Sequence, residues 1–288
     1  MQLAQFYQDT IKKFSQAGIE DARSDTVHLL CFCLGLTRTQ LFLHSANEIN
    51  DRQLQRCREL VCRRLAREPL HYITGTREFW SLEFQVSPAV LIPRPETEFL
   101  LEQVLKTLDQ TGYKGGTILD MCTGSGVISV VLALELAASR VIAVDRSEEA
   151  LCIAAANIAR HKKKNEISLV CSDLFSALSP HCGFELIVAN PPYIAVTEFA
   201  DLQPEVQKWE PETALAGGSE GLDVIEKLAD HVFEYLVPGG WLFIEIGADQ
   251  KESVYAIFAG HASDAYECVE IINDWSERPR VLKARRKR

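Results

Sequence analysis

The sequence has no Cys-x-x-Cys pair, no apolar run of membrane-spanning length and no excess of basic residues. Each lack excludes a class. Its nine cysteines are Cys31, Cys33, Cys57, Cys62, Cys122, Cys152, Cys171, Cys182 and Cys268, an odd number without the paired spacing of a zinc site or a disulfide framework. Several lie in apolar runs such as Leu29-Leu30-Cys31-Phe32-Cys33, so buried free thiols in a reducing compartment are expected, and no metal. The longest mainly apolar stretch, Val127 to Leu134, falls far short of the ~20 residues that span a bilayer. Asp9, Lys12 and Lys13 stand where a signal peptide needs an apolar core, which points to the cytoplasm. Thirty basic residues face 40 acidic ones, a net charge of -10, and this weakens any reading built on non-specific nucleic-acid binding. The remaining composition, 47% hydrophobic and 24% charged over 288 residues, is that of a soluble globular chain of about two domains.

Residues 1–75 read as helices only. Phe6, Ile11 and Phe14 suggest one helix and Val27 to Leu34 another. Asn50 reads as an N-cap, followed by an apolar stripe of Leu54, Val61 and Leu65, with Arg52, Arg56, Arg63 and Arg67 on the opposite face. That arginine face is either a solvated helix side or a docking surface. Residues 1–75 hold 10 basic and 8 acidic residues and the remainder 20 and 32, a shift that supports a boundary near Gly75. Residues 77–92 suggest a short β-hairpin with Phe84, Val86, Val90 and Ile92 in strand-type positions, and Pro93 and Pro95 stiffen the connection that follows. A helix bearing Phe99, Leu100, Leu101, Val104 and Leu105 is expected next.

From Thr117 onward strands and helices alternate. Strands are predicted over 117–122, 140–145, 167–171, 186–190 and 241–246, with helices over 127–137, 148–160 and 222–236. Apolar runs of this kind belong to a parallel sheet covered on both faces. Two closing strands, 266–272 and 280–284, suggest an antiparallel hairpin at the sheet edge, and the basic tail 283–288 reads as a frayed end.

The first of these strands runs into Asp120-Met121-Cys122-Thr123-Gly124-Ser125-Gly126 and then a helix, a turn that invites a nucleotide-like ligand. The dinucleotide fingerprint needs glycines at 122, 124 and 127; Cys122 and Val127 break it and disfavour hydride transfer. The G-x-G-x-G loop of S-adenosylmethionine (SAM) methyltransferases keeps two of its three glycines here, with Cys122 in place of the first. Asp145 ends the second strand, where a carboxylate can accept from both ribose hydroxyls; a helix cap is the structural alternative. Asp173 and Leu174 end the third strand, placed to accept from an adenine amine and to cover the ring, or to form a turn.

The fourth strand ends in Asn190-Pro191-Pro192-Tyr193. That motif is typical of methyltransferases acting on planar nitrogens: adenine N6, guanine N2 or a glutamine amide. Such a nitrogen is a weak nucleophile because its lone pair is delocalised, and its NH2 offers two donors. The Asn190 side-chain oxygen and the Pro191 carbonyl can accept both, with Tyr193 packed on the flat group near the sulfonium. Catalysis is then in-line transfer driven by positioning, without a strong general base.

The whole pattern resembles the peptide chain release factor glutamine N5-methyltransferases, the PrmC/HemK family. The matching stretches are Glu68 to Gly75, Glu78-Phe79-Trp80, Leu91 to Glu98, Asp120 to Gly126, Asn190 to Ile194, Glu210-Pro211, Ala214 to Gly218, Gly221-Leu222 and Arg280-Val281, nearly the full chain. The Arg94-Pro95-Glu96-Thr97-Glu98 linker separates this family from its nucleic-acid relatives. The resemblance implies an α/β fold: a Rossmann-like seven-stranded SAM-dependent methyltransferase sheet over residues 99–288. A helical substrate-recognition domain over 1–75 and a hairpin and proline-containing linker over 76–98 precede it. A cytoplasmic monomer without direct nucleic-acid or membrane binding is expected. The activity implied is SAM-dependent methylation of the glutamine in the Gly-Gly-Gln loop of class 1 release factors, with S-adenosyl-L-homocysteine as product. Cys122, Thr123, Gly124, Ser125, Gly126, Asp145, Asp173, Leu174 and Asn190 are then expected to hold the cofactor, and Asn190, Pro191, Pro192 and Tyr193 to hold the glutamine and carry catalysis. Cys122 replaces the family's usual glycine, and Leu174 stands where relatives often carry an aromatic. Glu96 and Thr97 border the site or serve as linker. The rival readings are a methyltransferase acting on an exocyclic base amine of RNA or DNA, against which the acidic balance counts, and a SAM-binding scaffold, which has no use for an intact Asn-Pro-Pro-Tyr.

Overall fold

The computed structural model describes residues 1–180, 182–261 and 265–288. They form two compact units, one of residues 1–76 with 203–209 and one of residues 77–202 with 210–288. Nothing in the composition marks 203–209 as part of the first.

The first unit holds the helices Leu3–Gln16 (α1), Ala22–Leu34 (α2), Arg38–Leu43 (α3), Asp51–Leu65 (α4) and Leu70–Thr74 (α5). Phe6, Phe14, Leu29, Leu30, Cys57 and Val61 fill its core. Asn50 caps α4 in a capping box with Gln53, as its position before the stripe predicts. Arg52, Arg56 and Arg63 are exposed, but Arg67 is not on that face. The helix ends at Leu65, and Arg67, in left-handed backbone with φ 68°, turns its guanidinium to the carbonyls of Ala17 and Gly18 and to Glu205. Arg64 is the buried member, bonded to Asp25 at 2.7 Å and Glu205 at 2.8 Å. Segment 203–209 thus enters this unit through Glu205, as an anion between two arginines.

A two-stranded hairpin follows, Thr76–Phe79 (β1) and Leu82–Gln85 (β2), all of it but Thr76 in the second unit. Pairing stops at Gln85: Val86, Val90 and Ile92 are buried, but in irregular chain rather than in the strand their residue types predicted. Then follow Pro95–Thr111 (α6), Thr117–Met121 (β3), Val127–Glu135 (α7), Arg140–Asp145 (β4), Glu148–Arg160 (α8), Ile167–Cys171 (β5) and Phe184–Ala189 (β6). The short helix Pro204–Trp209 (α9) belongs to the first unit; Asp223–Tyr235 (α10), Leu236–Glu245 (β7), Lys251–His261 (α11), Tyr266–Asn273 (β8) and Pro279–Arg286 (β9) complete the second. Helix α11 went unseen in the sequence because only Val254 and Phe258 give it a deeply buried face.

Among the described residues the sheet has seven strands in the order β5-β4-β3-β6-β7-β9-β8. The first five run parallel, and β9 and β8 close the sheet antiparallel. Alternate residues serve opposite layers: Ile118, Val141, Leu186 and Phe243 pack with α6 and α7, and Leu119, Val144, Ile187 and Ile244 with α10 and α11. The basic tail is not frayed up to Arg286. It is an interior strand with Ala284 fully buried, and Arg285 lies over the Trp241 ring and pairs with Glu267. The cysteines are free among the described residues, but only Cys33 and Cys57 are buried; Cys62, Cys152, Cys171 and Cys182 are exposed.

Asn157 on α8 joins hairpin and sheet. It is fully buried; its Nδ2 donates to the carbonyls of Gln85 at 3.0 Å and Ser125 at 2.8 Å, and its Oδ1 accepts from the Gln85 N–H at 2.7 Å. Asn157→Ala leaves the buried Ser125 carbonyl and two part-buried backbone groups of Gln85 without their partner. It is expected to cost about 3 kcal/mol, read as a shift of the urea midpoint at constant slope.

Candidate functional site

The sheet order reverses between β3 and β6, since the chain builds outward from β3 to β4 and β5 on one side and to β6 and β7 on the other. Ligands of such sheets bind beyond the carboxyl ends of the strands at this switch. The cleft lies there, lined by Cys122 to Ser125 after β3, Asp145 at the end of β4, Asp173 and Leu174 after β5, and Asn190 and Pro192 after β6. Arg94 and Thr97 close it from the start of α6.

The turn after β3 is clasped to β4. The Thr123 N–H donates to the Val144 carbonyl at 2.9 Å, and the Gly124 N–H to Asp145 Oδ2 at 2.8 Å. Asp145 is not the cap of α8; that is Ser147, whose hydroxyl accepts from the Ala150 N–H, while Asp145 Oδ1 accepts from the Ser147 N–H. Asp120 underpins the turn: its Oδ2 accepts from Thr123 Oγ1, from the Ser129 N–H and from Ser129 Oγ. Its Oδ1 is buried without a partner among the described residues, and burial pushes the carboxyl up to about 6. Cys122 has φ 62° and Leu174 φ 49°, left-handed backbone that favours glycine. A glycine at 122 would adopt that backbone without strain, and the thiol here adds a side chain at the cleft wall.

The segment 190–193 divides in two. Asn190 and Pro192 face the cleft; Pro191 is buried, and Tyr193 is half-buried with its hydroxyl donating to Glu245 Oε1 at 3.3 Å. Asn190 Nδ2 donates to Thr97 Oγ1 at 3.1 Å, and Thr97 Oγ1 donates to Glu245 Oε2 at 2.7 Å. Glu245 ends β7, 1% exposed, and burial pushes its carboxyl up to about 7 against the opposing bonds from Thr97 and Tyr193 and the charge of Arg280. Behind the loop, Gln250 Nε2 donates to the carbonyls of Tyr193 at 2.9 Å and Gly221 at 3.1 Å. Ile194 pairs with the stretch Leu215 to Gly217 through two backbone bonds at 2.9 Å. Gly221 permits this closure: its φ is +74°, and a Cβ there would stand 2.3 Å from the Tyr193 carbonyl oxygen.

The chain is similar to known proteins. Residues 5–75 match the PrmC N-terminal domain and residues 95–203 the methyltransferase small domain. A release factor glutamine methyltransferase of Geobacter sulfurreducens is 42% identical over 85% of this chain and 84% of its own. One of Koribacter versatilis is 39% identical over 99% of both. The chain belongs to the release factor glutamine methyltransferase family. A methyltransferase from Pyrococcus furiosus, 18% identical, shares the fold with a TM-score of 0.52 over 82% of this chain and 99% of that one.

Of the two residues expected to border the site or serve as linker, Thr97 lines the cleft, and the structure adds Glu245, Gln250 and the pair Arg94–Glu210. Arg94 Nη2 lies 2.5 Å from Glu210 Oε1, and Glu210 Oε2 also accepts from the Ile92 N–H, so one buried carboxylate ties down the Arg-Pro-Glu-Thr-Glu linker. The family stretches held the signal for Thr97 and Glu210; nothing local marked Glu245.

The raised carboxyl of Glu245 has a stability consequence. The folded state holds its proton more tightly than the unfolded chain does. This contribution is complete below the ordinary carboxyl value of 4.5 and is lost as pH rises through about 7. Glu245→Gln is therefore expected to stabilise the fold by on the order of 2 kcal/mol at pH 8.5 and to have little effect at pH 4.5, measured by thermal melts at both.

Proposed function

We propose that this protein transfers a methyl group from SAM to the side-chain amide nitrogen of the glutamine in the Gly-Gly-Gln loop of class 1 release factors. Family membership supports the reaction. The observation that carries the mechanism is the direction of the Asn190 amide: its NH2 end is spent on Thr97, which leaves Oδ1 as an acceptor at the cleft.

The cleft fits the cofactor by its donor set. Asp145 is held by two backbone N–H groups, with lone pairs remaining for a ribose diol. Asp173 suits an adenine amine and Leu174 a ring face, while the tight turn 122–126 lets backbone come close to the ligand. When bound, SAM supplies an activated methyl on a sulfonium. The chain's own part is to hold the acceptor nitrogen. Asn190 Oδ1 and the Pro191 carbonyl take its two protons as hydrogen-bond acceptors, and the lone pair is then constrained to one direction. The two prolines preset that carbonyl geometry. Pro192 borders the pocket wall and Tyr193 braces the loop against Glu245. Methylation makes the nitrogen acidic, so water can remove the proton.

We also infer that the protein works as a monomer in the cytoplasm, where release factors act, and that residues 1–75 recognise the factor through the exposed arginines of α4. No helix among the described residues is long and apolar enough to cross a membrane.

Mass spectrometry of a class 1 factor incubated with the protein and SAM tests the reading: a methyl on the Gly-Gly-Gln glutamine is expected, whereas label found only in tRNA, rRNA or DNA overturns it. Asn190→Ala is expected to lower the turnover rate about 10²–10³-fold while SAM affinity by calorimetry stays near wild type. Asp145→Ala is expected to weaken SAM binding about tenfold or more. Reversing two charges, Arg52→Glu with Arg56→Glu, is expected to raise KM for the intact factor several-fold, by roughly the effect of two rim charges, with SAM affinity unmoved.

A further inference from the structure

We propose that Glu245 is a positioning residue: through the Thr97 hydroxyl it sets which end of the Asn190 amide faces the substrate, so that the enzyme is competent only with Glu245 ionised. The inference rests on the role of Asn190 given above.

It follows from donor and acceptor bookkeeping along three side chains. An ionised carboxylate only accepts. Thr97 has one hydroxyl proton, and at 2.7 Å from Glu245 Oε2 that proton is committed. The Thr97 oxygen can then only accept, so the Asn190 group 3.1 Å away must be Nδ2. Oδ1 is left at the cleft. A proton on Glu245 Oε2 turns each link round. The carboxylic acid donates to Thr97, the Thr97 hydroxyl is freed to donate to Asn190 Oδ1, and the Asn190 NH2 turns to the cleft. There it meets the substrate NH2, donor against donor.

The surroundings allow both states. Glu96 and Thr97 face Glu245 from α6, Tyr193 from the loop after β6 and Arg280 from β9. Arg280 favours the ion, Glu96 the acid, and both hydroxyls the ion. Arg280 is shared: it lies 3.4 Å from Asp274 and donates to the Ile246 carbonyl at 3.2 Å. Burial tips the balance, so that the carboxyl titrates near neutrality, at about 7. The group is sealed from solvent at 1% exposure and does not reach the cleft, so it acts on the substrate only through its neighbours.

The test is the pH profile of single-turnover methyl transfer to a purified class 1 release factor, with the full-length protein at saturating SAM, from pH 5.5 to 9. The wild-type rate is expected to fall about tenfold per pH unit on an acid limb with its midpoint near pH 7, as for one essential ionised group. Thr97→Val, which keeps shape and removes the hydroxyl, is expected to be about tenfold slower at pH 8.5, to lose the acid limb and to bind SAM within about twofold of wild type. Thr97→Ser is expected to restore both rate and limb. If Thr97→Val does not fold, Glu245→Gln serves, with a flat profile expected. A wild-type profile that is flat while the factor is methylated, an acid limb that survives in Thr97→Val or Glu245→Gln, or a Thr97→Ser that restores nothing overturns the inference. If the wild type leaves the factor unmethylated at every pH, it is the proposed reaction that fails.

Discussion

An ionised carboxylate offers oxygens and no protons, and the polarity of the whole site follows from where one such group has been buried. Glu245 stands at the end of β7, covered by α6, the loop after β6 and β9. Because it accepts, Thr97 donates to it; because Thr97 has donated, it accepts from Asn190. Three groups of alternating role deliver one acceptor to the cleft. Hydrogen bonds in such a chain polarise one another, and their loss is correspondingly larger than that of an isolated pair.

Burial of this kind works against stability. Asp120 and Glu245 are both sealed from solvent, and both hold protons more readily than exposed carboxyls do. Each is nonetheless tied to an element that must not drift, Asp120 to the turn after β3 and Glu245 to the loop after β6. These are the two strands on either side of the sheet's switch point. The parallel strands supply rigid ends, and the buried carboxyl groups hold the loops that leave them. A site built this way costs fold stability at alkaline pH and gains fixed geometry, a trade common where polar groups are preorganised for catalysis.

The parallel strands were legible because a covered strand needs an apolar run, which Val141 to Val144 gives β4 at the predicted bounds; β5 also falls at its predicted bounds, though as an edge strand it is mostly half-buried or exposed. The cofactor turn and Asn190 were legible because both are short motifs at strand ends. Glu245 was not. In the sequence it is one acidic residue after Leu242, Phe243 and Ile244, as at any strand that ends in solvent. Its role appears only when β7 is laid beside β6 and the first turn of α6 is brought over both. Arg67 was misplaced for a related reason: helical periodicity extends past Leu65 on paper, while the chain turns left-handed at 67 to reach Glu205, 138 positions on in the sequence. The basic tail deceived through composition, since Lys283 and Arg285 lie over Trp241 while Ala284 faces the core.

The same alternation bears on substrate choice. In the proposed reaction two neutral acceptors, Asn190 Oδ1 and a backbone carbonyl, would match the two protons of an amide NH2. Glutamate is nearly isosteric with glutamine but presents oxygen where the site presents oxygen. Its binding would leave both acceptors unpaired and set a charge against them. A site built to bond an NH2 rejects the analogue lacking it by about 10⁴-fold or more, because its desolvated groups then have no partner. Discrimination between the two side chains thus needs no dedicated charged residue. It is already contained in the direction of one amide, which a carboxylate two hydrogen bonds away determines.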